Sequence, residues 1–314
     1  MDVAVVVECV DESRIPIQPW NHYRDALAER GIHLHCFRGA GEAFERPYDA
    51  MLLHVFLDWN NEQHFDSTRI LPILAGQAIY RSRFPEVVQI VVNHSDIVNP
   101  PSATPYWRPG DPILYRTPLY DRSGLWPFPA DEIFAFENIW GHRAFTADVP
   151  IKHPAGFVGT PTGPRGYRRS VARETAKVGI GICEAPAAVK WTDYASRMAE
   201  CAIVVCPRGW GAQSMRHWDA WRSGKPVMTD LDCHAVEMVP GVKLEAGVHY
   251  LVYDEPEAIP DLVSDWTQPS RRDDLAAVAD AGKRAALSYD GCSRIIEFFE
   301  TQVRPRMKKS APKF

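Results

Sequence analysis

The 314-residue chain is long enough for two ordinary domains, each burying a core of its own. Its 46% hydrophobic and 24% charged residues are those of a folded, soluble protein, and a formal net charge of −5 argues against a general nucleic-acid binder, which would carry a basic face. The seven cysteines (9, 36, 183, 201, 206, 233 and 292) are odd in number, lie mostly inside apolar runs and form no CxxC pair; this excludes the usual zinc and dithiol patterns and implies reduced core thiols.

The start MDVAVVVECVDE has no basic segment of the signal-peptide kind, and no run approaches the length of a membrane span. A cytoplasmic globular protein is the expectation. VAVVVECV (3–10) is a continuous valine-rich run and reads as a fully buried strand. QPWNHYRDALAERG (18–31) has helical spacing at Trp20, Tyr23, Ala26 and Leu27 and ends in a helix-stopping glycine. Strands follow at 32–37, 48–58 and 86–94, the last two separated by a helix at 67–81. Buried strands alternating with amphipathic helices predict a parallel sheet covered on both faces.

From 97 to 130 the sequence is rich in proline and aromatics, and an ordered loop without regular structure is expected there. Its aromatics, among them Trp107, Tyr115 and Trp126, either stack on sugar faces or pack on one another. The glycine- and proline-rich stretch 146–166 suggests a domain boundary near 150. Beyond it the alternation resumes, with strands at 176–182, 201–207, 225–230 and 249–254. Helices fit 191–199, 213–222, 256–266, 270–286 and 291–302. The basic tail RPRMKKSAPKF is expected to fray; its lysines allow peripheral contact with an anionic surface. The organisation is therefore α/β: two Rossmann-like, doubly wound domains facing a cleft, at 1–150 and 151–290, then a terminal helix and basic tail at 291–314.

In open parallel sheets, ligands bind beyond the carboxyl ends of the strands. Candidate segments there include Asp11, Asp58 and NHSD (Asn93–Asp96) in the first half, and RGWG (Arg208–Gly211) and DLDCH (Asp230–His234) in the second. RGWG is the most informative. Its glycines let backbone approach a ligand, and the following helix, starting near Gln213 or Ser214, aims free N–H groups at an anion. Arg216 in the first turn can grip a phosphate through a bidentate bond. Asp219, one turn on, can share its face and accept from ribose hydroxyls. The alternative is a plain turn and a surface helix with an i,i+3 ion pair.

CAIVVCPRGWGAQSMRHWDAWRSGKPVMTD (201–230) resembles the donor domain of GT-B glycosyltransferases, in which a loop and a helix bearing an arginine and an acid precede a G-x-P-V strand. The stretch 247–299 is similar to the end of glycosyl-transferase group-one domains, particularly the CgeB-type, spore-maturation-like subgroup. AGFVGTPTGPRGYRR (155–169) is similar to their opening. The resemblance covers the second half well and the first half only by architecture.

What the resemblance implies is transfer of a sugar from a nucleotide-sugar donor to an acceptor hydroxyl, without a metal ion and with no cofactor beyond the nucleotide-sugar co-substrate. Gly209, Trp210 and Gly211 match the diphosphate loop, Ser214 and Arg216 the phosphate-facing helix start, and Asp219 the ribose acid. Arg165 matches a second phosphate cation, its alternative being a solvent-exposed loop arginine. Two departures stand out. Retaining members often carry two glutamates eight positions apart; Asp219 matches the second, but Gly211 stands in place of the first. The first strand also lacks a glycine-rich turn.

An inverting transfer needs a base for the acceptor hydroxyl. His94 is the candidate, with Asp96 to orient it; Asp11 and Asp58 are rivals, and Asp96 could equally cap a turn. The acid pair of DLD at 230–232 looks like a GT-A metal site but in the wrong fold context, so no metal is expected. The acceptor class stays open between a glycan, a lipid-linked and a small molecule. G-x-G-x-x-G after the first strand, a P-loop and G-x-S-x-G are missing, which disfavours a dehydrogenase, kinase or serine hydrolase. The remaining alternatives are a sugar-nucleotide epimerase or hydrolase of the same architecture, and a non-catalytic nucleotide- or glycan-binding protein.

Overall fold

A computed structural model of the chain describes residues 1–7, 17–38, 41–55, 67–93, 108–116, 133–136, 149–159, 166–184, 191–208, 215–235 and 238–310. The chain forms two compact units. One takes Met1–Arg116 and is rejoined by Asp290–Phe314; the other includes Gly141–Tyr289.

The first unit is built on strands β1 (Asp2–Val7), β2 (His33–Arg38), β3 (Ala50–Val55), β4 (Val88–Asn93), β5 (Ile113–Arg116) and β6 (Ile133–Phe136). They pair in the order β2-β1-β3-β4-β5-β6, every pairing parallel. Successive side chains of a strand point to opposite faces, and β1 shows both faces covered. Val3 and Val5 pack with Trp20, Tyr23 and Leu27 of helix α1 (Ile17–Ala28). Ala4 and Val6 pack with Met51, Leu53 and Tyr80, the last on helix α2 (Ser67–Arg83). This is why β1 reads as an uninterrupted apolar run.

The second unit repeats the winding. Its strands β7 (His153–Gly159), β8 (Gly179–Cys183), β9 (Cys201–Val205), β10 (Val227–Thr229) and β11 (Leu251–Val252) lie in the order β11-β10-β9-β7-β8, again all parallel. Helices α3 (Tyr167–Thr175), α4 (Trp191–Ala199), α5 (Met215–Arg222), α6 (Ile259–Trp266) and α7 (Arg272–Ser288) accompany it. Ala155, Phe157, Ile203, Val205 and Met228 form one face of its core with Val171, Ile259, Val263 and Val278. In both sheets the first strand sits between the second and the third. The chain reverses its winding direction there, and such a switch point opens a crevice at the strands' carboxyl ends.

The chain then returns to the first unit through α8 (Gly291–Phe298), a π-helical stretch at Phe299–Val303, and α9 (Arg304–Ser310). Ile295, Phe298, Phe299 and Val303 join Val3, Val5 and Trp20 in the first core.

Several expectations need correction. The proline- and aromatic-rich stretch 97–130 is not wholly irregular, because it contains β5. The glycine- and proline-rich stretch 146–166 holds β7, which is central in its sheet and has strands on both sides. Glycine composition hid it: Gly156 and Gly159 lie where close neighbours leave no room for a side chain. Helix α3 was not expected at all. The tail is helical through Ser310 rather than frayed from Arg304. Pro305 comes just after the π-helical stretch, and Arg306 Nε donates to Gly110 O at 3.0 Å. Among the described residues no helix is long and apolar enough to cross a membrane.

Candidate functional site

The switch point of the second sheet lies between β7 and β9, and charged side chains gather at its carboxyl end. The register Gly156↔Val204 carries the two strands on, side by side, to Gly159 and Pro207. Arg216, in the first turn of α5, reaches back across this edge. Its Nε donates to Val158 O at 2.8 Å, and its guanidinium lies 5.6 Å from the centroid of the Phe157 ring. Gly159 makes this possible: a Cβ there would stand 2.9 Å from Arg216 Nη2 and 2.6 Å from the Phe157 ring.

Arg168, in the first turn of α3, approaches from the other side. It is buried, and its Nε donates to Arg208 O at 3.0 Å. Arg208 itself ends the described part of the β9–α5 connection. Its backbone N donates to Asp230 Oδ1 at 2.9 Å, and its Nε lies 3.0 Å from Asp230 Oδ2. The Arg208 guanidinium also covers the Tyr167 ring at 5.1 Å from its centroid. Asp230, just past the end of β10, has a side chain only 2% exposed, whereas that of Arg208 is 47% exposed. Tyr167 and Tyr253 stand behind the pair. Burial first, and then the neighbouring Asp230 charge, hold the Tyr167 phenol above its ordinary range.

Cys206 follows β9 and is fully buried. Burial chiefly pushes its thiol up, and the charges of Arg216, Asp219, Arg168 and Asp230 all act on it. One sheet edge therefore collects cationic groups from α3, α5 and the end of β9, those of Arg168 and Arg216 fixed by hydrogen bonds to backbone carbonyls and that of Arg208 by an ion pair with Asp230. Such a pre-set positive field suits an anion whose charge sits on several oxygens.

Of the residues singled out in the sequence, Arg216 and Asp219 are described. They lie one helical turn apart on α5, and Arg216 reaches the sheet through Val158 O. Arg216 keeps partial exposure, whereas Asp219 is buried at 1%. Gly209, Trp210, Gly211, Ser214 and Arg165 lie outside the described residues, as do His94 and Asp96 after β4 and the rivals Asp11 and Asp58. The acids of the DLD motif have separate duties. Asp230 serves Arg208, while Asp232 Oδ1 accepts from the backbone N of His234 and Ala235 at 3.0 and 3.1 Å, closing a turn. Among the described residues no three His, Cys, Asp or Glu side chains gather as a metal site.

Arg168, Arg208, Asp230 and Tyr167 were not picked out as site residues. Arg208 and Asp230 lay inside segments marked by the strand-end rule, so that rule carried the signal. Arg168 and Tyr167 belong to the helix that the sequence did not reveal.

No family model matches the chain, and no curated protein matches it in sequence. Solved structures do resemble it in fold. HepE from Anabaena, in complex with UDP and glucose, superposes with a TM-score of 0.56 at 12% identity, over 96% of this chain and 99% of that one. AviGT4, a glycosyltransferase involved in avilamycin A biosynthesis, gives 0.53 at 16% identity over 98% of both chains. An alpha-glucosyltransferase in complex with UDP and a 13-mer DNA gives 0.57 at 10% identity, over 96% and 99%. These likenesses extend through both parallel units, and the chain has the mixed α/β fold of the GT-B glycosyltransferases.

Proposed function

We propose that the chain is a glycosyltransferase that moves a sugar from a nucleotide-sugar donor to an acceptor hydroxyl. The observation that carries this reading is the gathering of Arg168, Arg208 and Arg216 at the switch point of the second sheet, in a fold shared with UDP-bound enzymes. In such a transfer the acceptor oxygen bonds to the anomeric carbon as the bond from that carbon to the diphosphate breaks. The electron pair leaves with the diphosphate. Fixed guanidinium groups aimed at the leaving oxygen favour this charge more in the transition state than in the bound donor.

In this reading the positive charge is supplied by arginines rather than a metal ion, and the nucleotide-sugar is a co-substrate with no further cofactor. Arg165 adds a second phosphate contact, Gly209, Trp210, Gly211 and Ser214 supply the loop and helix start, and Asp219 accepts from the ribose. His94, oriented by Asp96, takes the acceptor proton if the anomeric configuration inverts. The acceptor is a glycan, a lipid-linked or a small molecule. The similarity of the stretch 247–299 supports placing the chain with the CgeB-type subgroup.

The test is a thermal-shift screen of UDP-, GDP-, ADP- and dTDP-sugars and their free diphosphates, followed by turnover of any donor that stabilises the protein. Base-selective stabilisation and acceptor-dependent release of the diphosphate, unaffected by a chelator, are expected. Release of free sugar without an acceptor would make the chain a hydrolase, and interconversion of the bound sugar an epimerase. Stabilisation without turnover would leave a binding protein, and no shift with any nucleotide would sink the donor site.

A further inference from the structure

We infer that Arg208 contacts the donor's diphosphate directly, with Asp230 as its positioning residue; this rests on the donor-site reading above. A structural reading of the pair is that Arg208 neutralises a buried carboxylate. That duty occupies only part of the side chain. Asp230 takes Arg208 by its backbone N and its Nε, which leaves the far edge of the guanidinium in a side chain 47% exposed. Three further features restrain this exposed cation. The Tyr167 ring lies under the guanidinium plane, the buried Arg168 holds the carbonyl of Arg208, and Asp230 is shut away from water on a neighbouring strand end.

Long side chains at a surface ordinarily keep their rotamer freedom, and ordering one costs free energy. A guanidinium held on its backbone, along its Nε edge and across its face has already met that cost in the folded protein. It presents its remaining N–H groups in a fixed fork, a geometry that suits phosphate oxygens and that lysine cannot reproduce. Its position adds the rest: Arg208 leaves β9 at the switch point, where its neighbour strand β7 is crossed by Arg216. The ligand class is therefore a diphosphate, bridged between Arg216 of α5, laid across the end of β7, and Arg208 at the end of β9.

Calorimetric titration tests this with UDP, GDP, ADP and dTDP, each beside its parent nucleoside, on the full chain. Arg208→Gln should weaken binding of the diphosphate by about tenfold while leaving the nucleoside unchanged, the loss expected for one charge-assisted bond. Removing Arg208 alone leaves Asp230 buried without its counter-charge. The double variant Arg208→Gln/Asp230→Asn has no such orphan and should show the same phosphate-confined loss. Asp230→Asn alone, which frees the guanidinium while keeping an oxygen for the backbone N, should lose less, and Arg208→Lys should fall between wild type and Arg208→Gln. Equal losses for nucleoside and diphosphate would reduce Arg208 to a structural role. Unchanged diphosphate affinity in the double variant would overturn the assignment while sparing the donor site. If the wild type binds none of the four diphosphates, the donor-site reading fails and this one with it.

Discussion

Arg81 and Asp111 in the first unit, and Arg208 and Asp230 in the second, each join a guanidinium to a carboxylate beside a strand, yet they use the cation differently. Arg81 lies in the last turn of α2, and Asp111 stands just before β5, at the amino end of a parallel strand. There the fork is closed: Arg81 Nη1 donates to Asp111 Oδ1 at 3.2 Å and Nη2 to Oδ2, with both side chains shielded at 15% and 12% exposure. Arg208 and Asp230 stand at the carboxyl end of their strands, with the acid buried and the cation held half open. A closed pair at the amino end fastens the sheet. In the donor-site reading, a half-open pair at the carboxyl end fastens one group for a ligand to meet.

The largest expected effect separates these roles. Arg81→Leu leaves a shielded carboxylate without its counter-charge, a change that costs about 3 kcal/mol when a buried pair is broken from one side. The denaturation midpoint of the first unit should drop accordingly, while affinity for whichever nucleoside diphosphate the screen selects stays at the wild-type value. A loss of that affinity in Arg81→Leu with unchanged stability would reverse the comparison.

A smaller effect probes the half-open side without touching a charge. In Gly159→Ala the new methyl meets the Phe157 ring and Arg216 Nη2, so Arg216 must shift from its place across β7. Overpacking of this kind costs about 1–2 kcal/mol of stability, and in the donor-site reading the displacement of Arg216 should weaken diphosphate binding by about tenfold. Calorimetry and urea unfolding on the same variant read both. Full affinity in Gly159→Ala would mean that Arg216 needs no exact seat.

The two ends of the sheets also differ in how far the sequence disclosed them. Valine-rich β1 and the regular spacing of α1 were legible because hydrophobic periodicity reports burial directly. The element β7 was hidden, although it is central in its sheet. Its Gly156 approaches Cys201 and Gly159 yields to Arg216, and small residues chosen for close approach look like a linker. The one-turn spacing of Arg216 and Asp219 was legible, but spacing could not say that Arg216 is laid across the end of β7 or that Asp219 is buried, since both depend on tertiary packing. Asp230 is the plainest case. Its sequence neighbour Asp232 suggested a metal pair, whereas its partner Arg208 lies 22 residues back and is brought to it only by parallel pairing of β9 and β10.

A third pair sets the lower end of the scale. Asp2 Oδ1 and His35 Nε2 lie 3.1 Å apart on adjacent strands of the first sheet, with side chains 61% and 35% exposed. Neither partner is shut away, so solvent screening leaves such a pair worth at most about 0.5 kcal/mol, and Asp2→Asn should change stability by no more than this at pH 6. The hydrogen bond with His35 is the main cause holding the Asp2 carboxyl below its ordinary range. A depressed acid favours the folded state above its unfolded value, and that contribution is lost as pH falls through the folded value. The difference between Asp2→Asn and wild type should therefore fade on acidification below about pH 4, near the ordinary aspartate value. Urea unfolding at pH 6 and pH 3 measures both. A cost near that of Arg81→Leu would show that exposure does not distinguish these pairs, and the contrast between closed and half-open arginines would lose its physical basis.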